Sequence, residues 1–187
     1  IANGIDISRL SFHEHSHGYN IAWVSHITPM KNLHFALEVL RKLLEISDKY
    51  MLHVAGNFTD LVYEKYIKQS IKNMNLDKNV VFYDWVNDIN EWLNDKNYLL
   101  STSVCEGHPF NIIEAMAKGI KPVVNNFYGA EFSFDKQFLF NNIDEAITVI
   151  TTDQYDSKLY HTYIIEKQWT EKDQIDKFKN LIDELRK

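Results

Sequence analysis

The stretch NYLLSTSVCEGHPFNIIEAMAKGIKPVVNN, Asn97 to Asn126, decides the fold. It opens on a short apolar run, Asn97–Ser103, and breaks at Gly107-His108-Pro109. Helical spacing follows over 109–118, and a second apolar run closes it, Ile120–Asn126. Runs this short, bounded by turn residues, read as buried strands, and the segment between them as the crossover helix of a parallel βαβ unit.

The same grammar repeats on both sides. Upstream, YNIAWVS (Tyr19–Ser25), YMLHVAG (Tyr50–Gly56) and NVVFYDW (Asn79–Trp85) carry the strand signal. The first is followed by a helix in which Thr28 is the cap, Pro29 takes the first helical position, and Leu33, Ala36, Leu37, Leu40, Leu43 and Leu44 share one face. The second leads into a helix over 60–74, its apolar side made of Leu61, Tyr66 or Ile67, Ile71 and Met74; the third leads into a short helix over 89–93. Downstream, FLF (138–140) suggests a short sixth strand. Helices then follow over 142–150, 157–167 and 170 onward, with Thr170 and Asp173 spaced as a capping box. Runs this continuously apolar do not suit a half-exposed antiparallel sheet. The predicted fold class is α/β, a Rossmann-like parallel sheet with helices on both faces and a helical C-terminal tail, in one domain over 1–187.

Composition bounds the function. A chain of 187 residues with 45% apolar and 25% charged residues is globular, and a net charge of -6 spread along it argues against nucleic acid as the main partner. The lone Cys105 forms no intramolecular disulfide and fits a reducing, cytoplasmic setting; it reads as a buried, inert thiol. No apolar run approaches the roughly 20 residues of a membrane-spanning helix. The opening on Ile1 suggests a fragment of a longer protein. His13, His15 and His17 alternate as metal ligands on one side of a strand would, but their polar surroundings favour ordinary surface. Tyr160, Tyr163 and Trp169 read as packing for the tail helices.

In open parallel sheets ligands bind beyond the carboxyl ends of the strands. The loop around Glu106 and Gly107 sits at such an end. Gly107 would let the backbone turn tightly, Pro109 would occupy the first helical position, and the amides of Phe110, Asn111 and Ile112 would point at a ligand. Glu106 overhangs that spot. Glu114 lies inside the helix on a face toward the same cleft, since Ile112, Ile113 and Met116 cover the others. Two carboxylates flanking free amides suit a ligand with two sets of hydroxyls, such as a sugar and a ribose; a dipole-favoured and a solvated glutamate is the plainer alternative.

The spacing Glu106-x7-Glu114 resembles the E-x7-E signature of the family 4 retaining glycosyltransferases of the GT-B fold. NGID (Asn3–Asp6), WVSHITPMKNL, LHVAGN, VVFYDWV and STSVCEGHPFNIIEAMAKGIKPVV fall in that family's order over nearly the whole chain. The resemblance implies the C-terminal, donor-binding domain, which holds a nucleotide-diphosphate sugar, a UDP-sugar being favoured. Glu106 would contact the sugar and Lys31 the diphosphate, as the catalytic pair. Ser25, His26, Gly107, His108, Pro109, Phe110 and Asn111 would shape the donor site; Glu114 would hold the ribose, and Trp85 and Val86 would meet the base. No metal is implied, and no Asp-x-Asp is present to hold one. The acceptor, a saccharide, lipid-linked or protein group, would bind an N-terminal domain outside this chain, and any attachment to the inner face of a membrane would come from that half. The final helix would reach back to it. Two departures stand out: Ser25-His26 replaces the family's Gly-Arg pair, and His108 replaces a common Phe. They keep open a degenerate module with a scaffolding role, while an epimerase or phosphorylase would share the same cleft.

Overall fold

The computed structural model describes residues 2–186. Six strands form one sheet: β1 Asn20–Val24, β2 Met51–Ala55, β3 Val80–Phe82, β4 Tyr98–Ser101, β5 Lys121–Asn125 and β6 Leu139–Phe140. Their spatial order is β3-β2-β1-β4-β5-β6, and every pairing is parallel. β4 is buried along its whole length and β1, β2 and β5 nearly so, as strands covered on both faces must be.

Seven α-helices surround the sheet: α1 Leu33–Leu44, α2 Leu61–Asn73, α3 Ile89–Trp92, α4 Phe110–Ala117, α5 Ile143–Thr151, α6 Ser157–Glu166 and α7 Glu171–Leu185. One core gathers Leu37, Leu40, Ile67 and Ile150 from α1, α2 and α5 with Trp23 and Leu52 of the sheet. The other gathers Ile112, Met116, Tyr160 and Ile164 from α4 and α6 with Leu99 and Val124. The sixth strand and the Thr170–Asp173 capping box are present as predicted.

Local details differ from the pattern reading. Pro29 starts a separate 3₁₀ turn, Pro29–Lys31, because Asn32 adopts φ 53 and breaks the path before α1 begins at Leu33. On α2, Ile67 rather than Tyr66 faces the core, while Leu61, the first residue of the helix, is 74% exposed. Pro109 is the cap of α4 and Phe110 its first residue. Cys105 is exposed on the loop after β4, not buried. The three histidines of the lead-in take separate surroundings: His13 bonds Ser11, His17 bonds Tyr98, and His15 is half-buried with a ring nitrogen unpartnered. Trp169 packs against His108, Phe134 and Tyr163, so its burial is satisfied within the domain. No residue of α7 is buried, and Ile175, Phe178 and Ile182 line an open apolar stripe along it. No described helix is long and apolar enough to cross a membrane.

His53 of β2 is held by Tyr83 through Nδ1 (2.9 Å) and by Asn20 through Nε2 (3.2 Å). Burial, with the nearby positive charge of Lys96, pushes its imidazole from 6.5 down to about 4. Between those values the unfolded chain binds a proton that the folded chain refuses. The His53 contribution to stability is therefore complete above pH 6.5 and is lost as the pH falls toward 4, by about 2 kcal/mol after discounting for residual screening. Denaturant titrations between pH 7 and pH 4 should show this loss, and His53→Gln should flatten it; an unchanged slope in the variant would assign the acid sensitivity elsewhere.

Candidate functional site

β1 pairs with β2 on one side and β4 on the other. The chain after β1 turns to α1 on one face, and the chain after β4 turns to α4 on the opposite face. A crevice must open between two such departures. It is a cleft of about 550 Å³, and its walls include Ser25, His26, Lys31, Trp85, Val86, Glu106, His108, Pro109, Phe110, Asn111 and Glu114. Of the residues singled out from the sequence, only Gly107 is absent from the wall. Val24, Ala55, Gly56, Asn87 and Ile89 complete it. A larger cavity of about 650 Å³, lined by Lys121, Tyr155 and Tyr160, lies at the amino ends of the strands, the wrong end for a ligand of a parallel sheet.

The two walls are pinned to each other. Trp23 Nε1 donates to Thr102 Oγ1 (3.0 Å), and that hydroxyl donates onward to the carbonyl of Lys31 (2.8 Å). The Val104 amide donates to the Met30 carbonyl (3.0 Å). These bonds fix the 3₁₀ turn that carries Lys31 against the loop that carries Glu106. Lys31 Nζ then reaches Glu106 Oε1 at 2.5 Å, both side chains being mostly shielded from solvent. The pair joins residues 75 apart in sequence.

Asn111 anchors α4. Its Nδ2 donates to the Val24 carbonyl at the end of β1 (2.7 Å), and its Oδ1 accepts from the Ile112 amide (2.9 Å). Of the three amides expected to face a ligand, Ile112 is thus occupied. Phe110 and Asn111 keep the open donors of the first turn, where no side chain caps the helix. Such an end attracts anions.

Glu114 stands half-buried deeper in the cleft, and among the described residues no hydrogen bond or ion pair reaches its carboxylate. Burial alone pushes its pKa up. An unpartnered carboxylate in a partly dry wall is a strong acceptor for ligand hydroxyls. At the rim, His26 and Trp85 stack with ring centroids 5.7 Å apart. His108 presses edge-on against Trp169 at 4.7 Å, and both its ring nitrogens are buried without partners. Burial lowers its pKa, favouring the neutral ring.

The glycines divide by role. Gly56, with φ +135, lies so close to β1 that an added Cβ would sit 1.8 Å from the Ser25 carbonyl oxygen. Gly107 has no positive φ, and a Cβ there would meet nothing within 4 Å. The backbone bends at Gly107 without the left-handed conformation that glycine alone adopts readily, and the missing side chain leaves open space beside Glu106. Among the described residues no cluster of three or more His, Cys, Asp or Glu stands ready for a metal.

A family model described as "Glycosyl transferases group 1" matches residues 11–140. Protein CapJ of Staphylococcus aureus is 28% identical over 120 residues, which are 63% of this chain and 29% of CapJ. A TarM variant of S. aureus, solved with fondaparinux, α-GlcNAc-glycerol and UDP, superposes with a TM-score of 0.78 at 21% identity, over 91% of this chain and 37% of TarM. A glycosyltransferase of Rickettsia africae gives 0.83 at 17% identity, over 99% of this chain and 56% of its own. The chain thus spans under a third of CapJ and little more than half of the Rickettsia protein.

The two glycines yield opposite expectations. Gly56→Ala should destabilise the chain by roughly 2–4 kcal/mol, because neither backbone can yield. Gly107→Ala should leave stability within about 0.5 kcal/mol of the parent, because the site is open. Thermal and denaturant unfolding of both variants checks this, and a large loss for Gly107→Ala would show that the loop needs its glycine after all.

Proposed function

The chain belongs to the glycosyl transferases group 1 family, and we propose that its cleft holds a nucleotide-diphosphate sugar for transfer with retention, as in family 4 enzymes. The observation that carries this reading is the convergence of Lys31, Glu106, Glu114 and the free first-turn amides of α4 in one cleft at the sheet's switch point. Trp85 and Val86 receive the base and Glu114 accepts hydrogen bonds from the ribose hydroxyls. The diphosphate lies between Lys31 and the amides of Phe110 and Asn111. The open volume at Gly107 admits the sugar, whose hydroxyls reach Glu106. UDP is the favoured nucleotide and a hexose or N-acetylhexosamine the favoured sugar.

In this arrangement Lys31 and the helix end stabilise charge gathering on the diphosphate as the glycosidic bond breaks. The sugar passes through an oxocarbenium-like state, and the acceptor attacks from the side of the departing phosphate, which assists removal of its proton. Lys31 leaves Glu106 for the phosphate, and the carboxylate it releases turns to the sugar hydroxyls. The acceptor, a saccharide, a lipid-linked saccharide or a protein group, binds a second domain beyond this chain. The open apolar stripe of α7 supports such a partner surface. Polysaccharide assembly at the cytoplasmic face of a membrane is the setting that fits, and this chain alone would bind donor without transferring sugar.

A scaffolding role is favoured by one observation: Glu106 already neutralises Lys31 in the unliganded cleft. Calorimetric titration with UDP, GDP and ADP separates the readings. The account expects one nucleotide to bind, and Glu114→Ala to weaken it roughly 10- to 100-fold, the worth of hydrogen bonds to a charged group. In the full-length protein, Glu106→Gln should lower turnover about 100-fold or more. Unchanged turnover would leave Glu106 without a role and favour the scaffold.

A further inference from the structure

The charges of the cleft do not yet suit a diphosphate. Its walls carry two carboxylates, Glu106 and Glu114, against one lysine, and that lysine is already paired with Glu106. Arg9 lines the neighbouring cavity and not this one, and its charge is solvent-exposed beside Asp6 at 3.2 Å. Leaving the imidazoles aside, the carboxylates and the lysine of the walls sum to one net negative charge before a doubly charged diphosphate arrives. Two anionic groups brought together in a partly dry cleft repel strongly. The open amides of α4 offset part of that repulsion.

The remaining source of positive charge on the walls is an imidazole. His108 is poorly placed, since its nitrogens are buried and its pKa is lowered. His26 is exposed at the mouth, immediately after β1, and stacks on Trp85. An indole face favours an imidazolium over it. The other titratable groups around the cleft mouth are Lys31, Glu106, Glu114, His108 and Asp84, whose carbonyl is tied to the Gly56 amide.

Resting on the nucleotide-sugar reading above, we infer that His26 is the second cationic contact for the donor diphosphate and that donor binding is coupled to uptake of a proton by its ring. The proton comes from solvent, and the charged ring stays stacked on Trp85 while its N–H donates to a phosphate oxygen. The cleft thereby gains a charge only when the donor is present. Donor affinity must then fall as the pH rises through the range where imidazole deprotonates. Titration of Glu114 would act with the opposite sign, because a deprotonated Glu114 accepts ribose hydroxyls better at higher pH.

The test is calorimetry on this chain with UDP-glucose, UDP-N-acetylglucosamine and GDP-mannose at pH 6, 7 and 8. At pH 7 it is repeated in buffers of different ionisation enthalpy. These donors are chosen over the free diphosphates because their diester phosphates do not ionise near neutral pH. For the donor that binds, the expected result is an affinity about tenfold weaker at pH 8 than at pH 6, with net proton uptake at pH 7. His26→Arg should bind without proton uptake and with a flat pH profile, and His26→Gln should bind weakly at every pH. Circular dichroism confirms that both variants fold. Binding of a donor with no proton uptake, or uptake that persists in His26→Arg, would overturn this inference and leave the donor site standing. Failure of all three donors to bind at pH 6 would overturn both.

Discussion

The pairing of β1 with β2 on one side and β4 on the other is the constraint from which the rest follows. A right-handed crossover sends the chain after β1 to one face of the sheet and the chain after β4 to the other. The gap between these departures cannot be filled by either helix. What the sequence adds is a way of holding the gap at a fixed width. The Trp23–Thr102–Lys31 relay and the Asn111–Val24 bond tie β1, β4 and α4 together around it. The Trp23–Thr102 bond is buried and the others are partly so, and for a buried bond losing one partner costs more than the bond's net worth. The site is therefore placed by the core and not by its loops.

The polar balance of the cleft is deliberately unfinished. Among the described residues, Glu114 has no protein partner, the first amides of α4 have no side-chain cap, and Lys31 pairs with another member of the same site. Burial of the unpartnered Glu114 carboxylate costs stability in the empty state, while the amides and Lys31 remain available to a ligand. Elsewhere the chain shows how a buried charge is fully satisfied. Lys118, wholly buried, is surrounded by the Ser11 carbonyl and the side chains of Ser11, Asn90 and Asn94. The contrast separates a buried charge that pins the lead-in segment from charges left open for binding.

The strands and helices were legible because their periods are strong and their ends carry turn residues. The misreadings are local. Thr28-Pro29 looks like a helix start, and only the left-handed Asn32 separates the turn from α1. Leu61 fits the apolar period of α2 yet stands exposed as the first residue of the helix. Within the site, Glu106 and Glu114 could be found by spacing around a strand–loop–helix junction, and Lys31 by resemblance. Val24, Ala55 and Gly56 escape a sequence reading as wall residues because small and apolar groups at strand ends have no chemical signature, and Asn87 and Ile89 because nothing sets them apart within a polar loop and a short helix. Their place depends on register between distant strands. The Lys31–Glu106 bond and the capture of the Ile112 amide by Asn111 are likewise products of three-dimensional packing.

The central claim is that the nucleotide-diphosphate sugar occupies the cleft between β1 and β4, with its diphosphate at the start of α4. The most direct measurement is an amide-resolved NMR titration of the chain with UDP. The account predicts saturable shifts at Lys31, Gly107, Phe110, Asn111 and Glu114, with the amides around Lys121 and Tyr155 unmoved. Shifts centred on that second cavity, or none at the start of α4, would contradict it.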